Sequence, residues 1–238
     1  MAYPLAPSGA KRTAGEAALA AHRRLQHEYG HHPWAPRYDP LSELIATILS
    51  QNTSDVNSGR AFQRLREAFP TWQQIIEAPA EAVASSIQSG GLAQVKAPRI
   101  QAVLARIRDQ RGGFCLDFLR PMDTSEAKAW LISLPGVGSK TASIVLLFAL
   151  GKPALPVDTH IHRVTRRLGL IGDRDSAEKA HDLLEAQLPP EAYYDFHLNV
   201  LAHGRRVCAA RNPRCTACVV NDLCAAYQRF LSEGGTVR

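Results

Sequence analysis

Apolar residues recur at helical spacing along almost the whole chain, and the apolar–polar alternation of a half-buried strand is nearly absent. Residues 16–29 are rich in Ala, Leu and Arg and predict a first helix. Residues 31–40 hold three prolines and read as a loop. Leu41, Leu44, Ile45, Ile48 and Leu49 then repeat three or four apart and predict a buried helical face. Short helices separated by Pro and Gly breaks follow over 61–69, 72–77, 80–89 and 97–108. Residues 111–122 form an irregular insert around Gly112, Gly113 and Pro121; its lone Cys115 reads as a small buried hydrophobe. The predicted fold class is all-α.

The pattern is most specific over 124–150. A helix starting at Asp123 or Thr124, with Glu126 in its favoured first turn, runs to about Ser133. The segment Leu134-Pro135-Gly136-Val137-Gly138 breaks it. A second helix over 139–150 is apolar nearly all round, so it should be buried. This is the layout of a helix-hairpin-helix. Gly136 and Gly138 remove side chains, so backbone N–H groups at the start of the second helix can meet a phosphate without reading bases. Leu134, Gly136, Val137, Gly138, Ser139 and Thr141 are the hairpin's candidate DNA contacts. A nucleotide-binding P-loop is excluded, because Ser139 separates Gly138 from Lys140 and no strand precedes the turn.

Lys140 falls in the first turn of the buried helix. The helix dipole and apolar surroundings would both disfavour its charged form, and a neutral amine is a nucleophile toward carbon. On the hairpin alone, a phosphate-contacting lysine is the plainer reading. Eighteen residues on comes Val157-Asp158-Thr159-His160-Ile161-His162-Arg163. Asp158 there precedes a helical stretch and would serve as an ordinary N-cap.

Charge and cysteines extend the picture. The net charge of +6 tilts toward an acidic partner, and Arg163, Arg166 and Arg167, then Arg205, Arg206, Arg211 and Arg214, concentrate it in two segments. No apolar run is long enough to span a bilayer and no export signal is evident, so an intracellular protein with reduced cysteines is expected. Cys208, Cys215, Cys218 and Cys224 nevertheless cluster, with six, two and five residues between them. Four thiolates so close along the chain can converge on one centre, and the spacing leans toward an iron–sulfur cluster over zinc. Residues 1–15 are small and polar and read as a disordered tail.

Together, Leu134-Pro135-Gly136-Val137-Gly138-x-Lys140-Thr141-Ala142, Val157-Asp158-Thr159-His160-Ile161-x-Arg163 and the four-cysteine run resemble the endonuclease III branch of the helix-hairpin-helix DNA glycosylase superfamily, over about 41–224. The resemblance implies a base-excision-repair enzyme that removes oxidised pyrimidines from double-stranded DNA and also cuts at abasic sites. Lys140 would attack the sugar C1′ of a flipped-out nucleotide and end as a Schiff base, and Asp158 would assist departure of the base. Relatives that remove bases without nicking carry Ser or Tyr at the Lys140 position. The extra C-terminal domain of the adenine-specific branch is not expected, with fourteen residues following Cys224.

The resemblance also implies a [4Fe–4S] cluster on the four cysteines. It puts a residue that fills the vacated stack at Asn52, where the family has Gln, with Gln51 as the substitute, and a strand-wedging leucine at Leu92, which could equally be core. His160 either lies near the DNA backbone or satisfies a helix start. Arg205, Arg206, Arg211 and Arg214 are candidates for phosphate. The expected architecture is two helical domains, 34–152 with the hairpin and 16–33 plus 153–238 with the cluster loop, with Lys140 and Asp158 facing each other across a cleft. A monomer in the cytoplasm, on the nucleoid if the chain is bacterial, completes the expectation.

Overall fold

The computed structural model describes residues 13–234. They form helices joined by short loops, with no strand among them. The chain divides into two units, Trp34–Pro156 and a second made of the N-terminal segment with Val157–Arg238.

In the N-terminal segment, helix α1 covers Ala14–Tyr29. It begins two residues before the predicted start because Thr13 and Glu16 make a reciprocal capping box that holds the first turn. Residues 13–15 of the expected disordered tail are therefore ordered, and its first twelve residues lie outside the described ones.

The Trp34–Pro156 unit contains α2 (Pro40–Ser50), α3 (Asp55–Ala68), α4 (Trp72–Glu77), α5 (Ala80–Ser86), α6 (Ala93–Arg111), α7 (Thr124–Ile132) and α8 (Ser139–Leu150). Leu44, Ile45, Ile48 and Leu49 of α2 are fully buried. Each contributes roughly 1.5–3 kcal/mol of transfer free energy. α8 packs on α2 and α7 and buries residues all round, as its apolar composition requires. Trp34 donates its indole N–H to the Leu147 carbonyl at 2.7 Å and so satisfies one of the last carbonyls of α8.

α3 and α6 are longer than the apolar pattern indicates. Ser54 caps α3 well before the first buried apolar residue, and α6 runs through Pro98. The insert is anchored by Leu116 and Leu119, both buried, with Phe118 edge-on to Trp130 at 4.9 Å between ring centroids. Cys115 departs from expectation. It is exposed, and its Sγ lies 3.3 Å from Asp117 Oδ2 in a local turn, because the leucines beside it take the buried positions.

The other unit adds α9 (Thr159–Leu168), α10 (Ala177–Glu185), α11 (Tyr193–Arg206) and α12 (Ala225–Ser232). α11 packs on α1 and α9. Asp195, nearly buried in α11, accepts from Gln26 Nε2 at 2.7 Å and from the His32 backbone N–H at 2.6 Å, and pairs with His31. It thereby fixes the chain leaving α1.

Candidate nucleic-acid interface and catalytic residues

The hairpin turn is a four-residue reversal in which the Val137 N–H donates to the Leu134 carbonyl at 3.2 Å. Pro135 and Gly136 fill its centre, and Gly136 has φ 70°, the left-handed value that a type II turn requires. Leu134 and Val137 point into the core, at 2% and 5% exposure, so only their backbone is available to a ligand. The two glycines differ. A Cβ at Gly136 would lie 2.5 Å from Arg99 Nε, whereas one at Gly138 would meet nothing within 4 Å. Gly136 is thus required by the protein's own packing, and the open space for a phosphate lies at Gly138. The side chain of Gly138 being absent, α8 has no side-chain N-cap, and its first N–H groups belong to the positive end of a twelve-residue helix.

Lys140 is exposed in this first turn. The apolar surroundings expected for it are absent, because the buried face of the turn is made by Ser139 and Thr141. Thr141 Oγ1 accepts from Gln51 Nε2 at 3.5 Å, and Gln51 Oε1 accepts from Arg99 Nη1 at 3.1 Å. Gln51 is therefore tied into the hairpin. Asn52 is exposed, with φ 56°. Leu92 is 55% exposed at φ 50°, which excludes the core-packing reading.

Two residues absent from the sequence reading organise these loops. Arg99 lies over the turn and joins it to Gln51. Lys96 is 2% exposed and donates from Nζ to the carbonyls of Leu49 and Gly90, at 2.7 Å each. Burial, aided by nearby Arg99, pulls the Lys96 ammonium below the usual lysine range. A sequence signal for Lys96 exists, since it lies four and eleven residues before Ile100 and Ile107 on the apolar stripe of α6. Arg99 carries none.

In the other unit, Asp158 is the N-cap of α9. Its Oδ1 accepts from the His160 N–H at 2.8 Å and the Ile161 N–H at 2.7 Å, so both cap bonds use one oxygen. His160 Nδ1 lies 3.1 Å from Arg163 Nη2. Arg163 also donates to the carbonyls of Gly204 at 2.9 Å and Cys208 at 3.1 Å. Arg167 donates to the Ala209 carbonyl at 2.7 Å and to Cys208 Sγ at 3.3 Å. These arginines bind the cysteine loop to the helix that Asp158 caps. Arg205, Arg206, Arg211 and Arg214 are all exposed, with Arg214 hydrogen-bonded to the Arg206 carbonyl.

Cys208, Cys215, Cys218 and Cys224 line one cavity of about 440 Å³ together with Arg167, Tyr227 and Phe230. Burial pushes the Cys218 thiol up to about 11 and raises those of Cys215 and Cys224, with neighbouring thiols adding to the shift. Four crowded, partly desolvated thiols form a donor set whose thiolates need a positive centre. Among the described residues these four cysteines share that one cavity, and soft thiolates in such a set are donors suited to a metal centre.

An all-helical fold with an uncapped helix-hairpin-helix and a separate four-cysteine loop defines a class of DNA-binding protein. The chain matches the HhH-GPD superfamily of base excision DNA repair proteins over residues 45–190. Endonuclease III of Thermotoga maritima is 36% identical over 191 residues, covering 80% of this chain and 85% of that protein. Endonuclease III of Escherichia coli K12 is 35% identical over 185 residues, covering 78% and 83%. A candidate DNA glycosylase of Arabidopsis thaliana is 36% identical over 165 residues, or 69% of this chain, which spans just over half (56%) of that relative. The solved structure of a trapped endonuclease III–DNA covalent intermediate superposes with a TM-score of 0.79 at 31% identity, covering 93% of this chain and 100% of that one. The chain belongs to the HhH-GPD superfamily of base excision DNA repair proteins, as an endonuclease III-like DNA glycosylase.

Proposed function

We propose that this protein excises oxidised pyrimidines from duplex DNA and then cuts the strand through a Schiff base on Lys140. The observation that carries the reading is an exposed lysine in the first turn of α8, directly behind an uncapped helix N-terminus with open space at Gly138. The amide groups of that turn grip the backbone phosphate and hold the sugar beside the amine. The Lys140 lone pair attacks C1′, and the C1′–N bond breaks with its electron pair leaving on the base, which takes up a proton. The Asp158 carboxylate, oriented through its capped Oδ1, stabilises the positive charge that develops on the sugar. Ring opening gives the imine. Loss of a C2′ proton then expels the 3′ oxygen, and water hydrolyses the imine to return the amine.

Asn52 fills the place of the extruded base and Leu92 wedges the opposite strand; their exposure and left-handed backbones support these roles. Gln51, held by Arg99 and Thr141, shapes the loop beneath. Exposed Arg205, Arg206, Arg211 and Arg214, together with His160, contact phosphate. The thiols of Cys208, Cys215, Cys218 and Cys224 hold a [4Fe–4S] cluster, whose bound form ties the arginine-bearing loop together. The protein acts as a monomer in the cytoplasm, or on the nucleoid of a bacterium.

Borohydride reduction with lesion-bearing duplex is the test. Wild-type protein should yield a covalent protein–DNA adduct and Lys140→Ala none. No adduct from the wild type, or an equal one from Lys140→Ala, refutes the Schiff base. The purified protein should also be yellow-brown, and a colourless, zinc-loaded one refutes the cluster assignment.

A further inference from the structure

Of the three non-glycine residues with positive φ among the described residues, two are Asn52 and Leu92. A left-handed backbone at a leucine is strained, and such strain persists only where the surroundings impose it. What the two loops share is Lys96. Its Nζ reaches the carbonyl of Leu49, three residues before Asn52, and that of Gly90, two residues before Leu92. Among the described residues no carboxylate pairs with this ammonium, and both acceptors are main-chain oxygens. One of them lies at the negative end of α2, where a cation is favoured. Gly90 itself is pressed against α3, since a Cβ there would come within 3.1 Å of Ala61 Cβ. A buried charge spent on two carbonyls is an expensive way to hold a fold that an apolar side chain at this core position would stabilise as well.

We infer that Lys96 is a positioning residue for base extrusion: its single ammonium locks the Asn52 turn and the Leu92 loop into one rigid unit. Filling the vacated stack and wedging the opposite strand then occur together. The inference rests on the roles of Asn52 and Leu92 proposed above.

The test compares two substrates in the full-length, cluster-loaded protein. One is a duplex with an oxidised pyrimidine, which must be flipped. The other is a single-stranded oligonucleotide with an abasic site, which has no stack to fill and no opposite strand to wedge. Lys96→Met should lose about tenfold or more on the duplex lesion, the scale of one left-handed residue set free, and stay within about threefold of wild type on the abasic strand. Equal losses on both substrates, or no loss on either, overturn the clamp. A wild type inactive on both overturns the proposed function and this inference with it. An active wild type beside an unselective variant overturns the clamp alone. Should Lys96→Met not fold, the same pair of rates is read in Gly90→Ala, whose added methyl displaces one of the two acceptor carbonyls. The same selective loss is expected there, and an unselective result overturns the inference.

Discussion

Replacing Gly136 by alanine separates what the hairpin needs for folding from what it needs for DNA. Two costs arise. Alanine at φ 70° pays about 1–2 kcal/mol for the left-handed conformation. Its methyl also lands 2.5 Å from Arg99 Nε and 2.6 Å from Arg99 Cδ, so the arginine must swing away and give up its 3.1 Å bond to Gln51. A part-exposed bond of this kind contributes about 1 kcal/mol. The sum is about 2–3 kcal/mol, which lowers the thermal midpoint of a protein this size by roughly 5–10 °C. Gly138→Ala is the control, because φ is −100° and no atom lies within 4 Å of the new Cβ. Its midpoint should stay within about 2 °C of wild type while duplex binding weakens several-fold, the methyl standing where phosphate approaches. Thermal melts followed by far-UV circular dichroism, alongside binding titrations at fixed salt, read both effects. In an Arg99→Ala background the cost of Gly136→Ala should shrink by about 1 kcal/mol, the share due to the clash. Equal midpoints for the two glycine variants, or an undiminished cost without Arg99, would refute the assignment of Gly136 to internal packing.

Two further outcomes follow from the Asp158 and Asp195 geometries. Asp158→Asn keeps a capping oxygen, so stability should change by less than about 1 kcal/mol, while base excision falls by about a hundredfold or more with the loss of the carboxylate; a variant that melts early, or one that excises normally, contradicts the role given to that charge. Burial alone would raise the Asp195 carboxyl, but the His32 N–H, His31 and Gln26 outweigh it and hold it below the usual aspartate range. Its stabilisation is therefore complete above the unfolded-state value and is lost only as pH falls through the depressed folded-state value. Asp195→Asn should cost about 1–3 kcal/mol in urea melts, a gap that stays constant from about pH 7 to about pH 4 and narrows below that. A gap that stays constant below about pH 4, or widens as pH falls, would show that this carboxyl is not depressed.

Much of the architecture is legible in the chain itself. The 3.6-residue periodicity, the breaks at Pro and Gly, and the unbroken apolar run of α8 specify an all-helical protein and place the hairpin to within a residue, because these signals are local. Lys140, Asp158 and the four cysteines stand out for the same reason: their patterns lie within short stretches, and spacing along a helix or loop translates directly into geometry. The ends of α1, α3 and α6 are less legible, since side-chain caps start the first two and α6 runs beyond its outermost buried residues at both ends. The exposure of Cys115 is not legible, because a lone cysteine gives no local sign of which neighbour is buried.

What only the tertiary structure decided is how distant segments meet. Arg99 over Gly136, Gln51 on Thr141, and Lys96 between Leu49 and Gly90 join residues from 6 to 90 positions apart, and nothing in a periodic pattern encodes which polar side chain bridges which carbonyl. The structure likewise divides the two hairpin glycines, which look alike in sequence, into one constrained by its own protein and one open to a ligand. Local preference settles backbone form; the partners of buried polar groups are settled by packing, because an ammonium or guanidinium taken from water must find its acceptors wherever the folded chain supplies them.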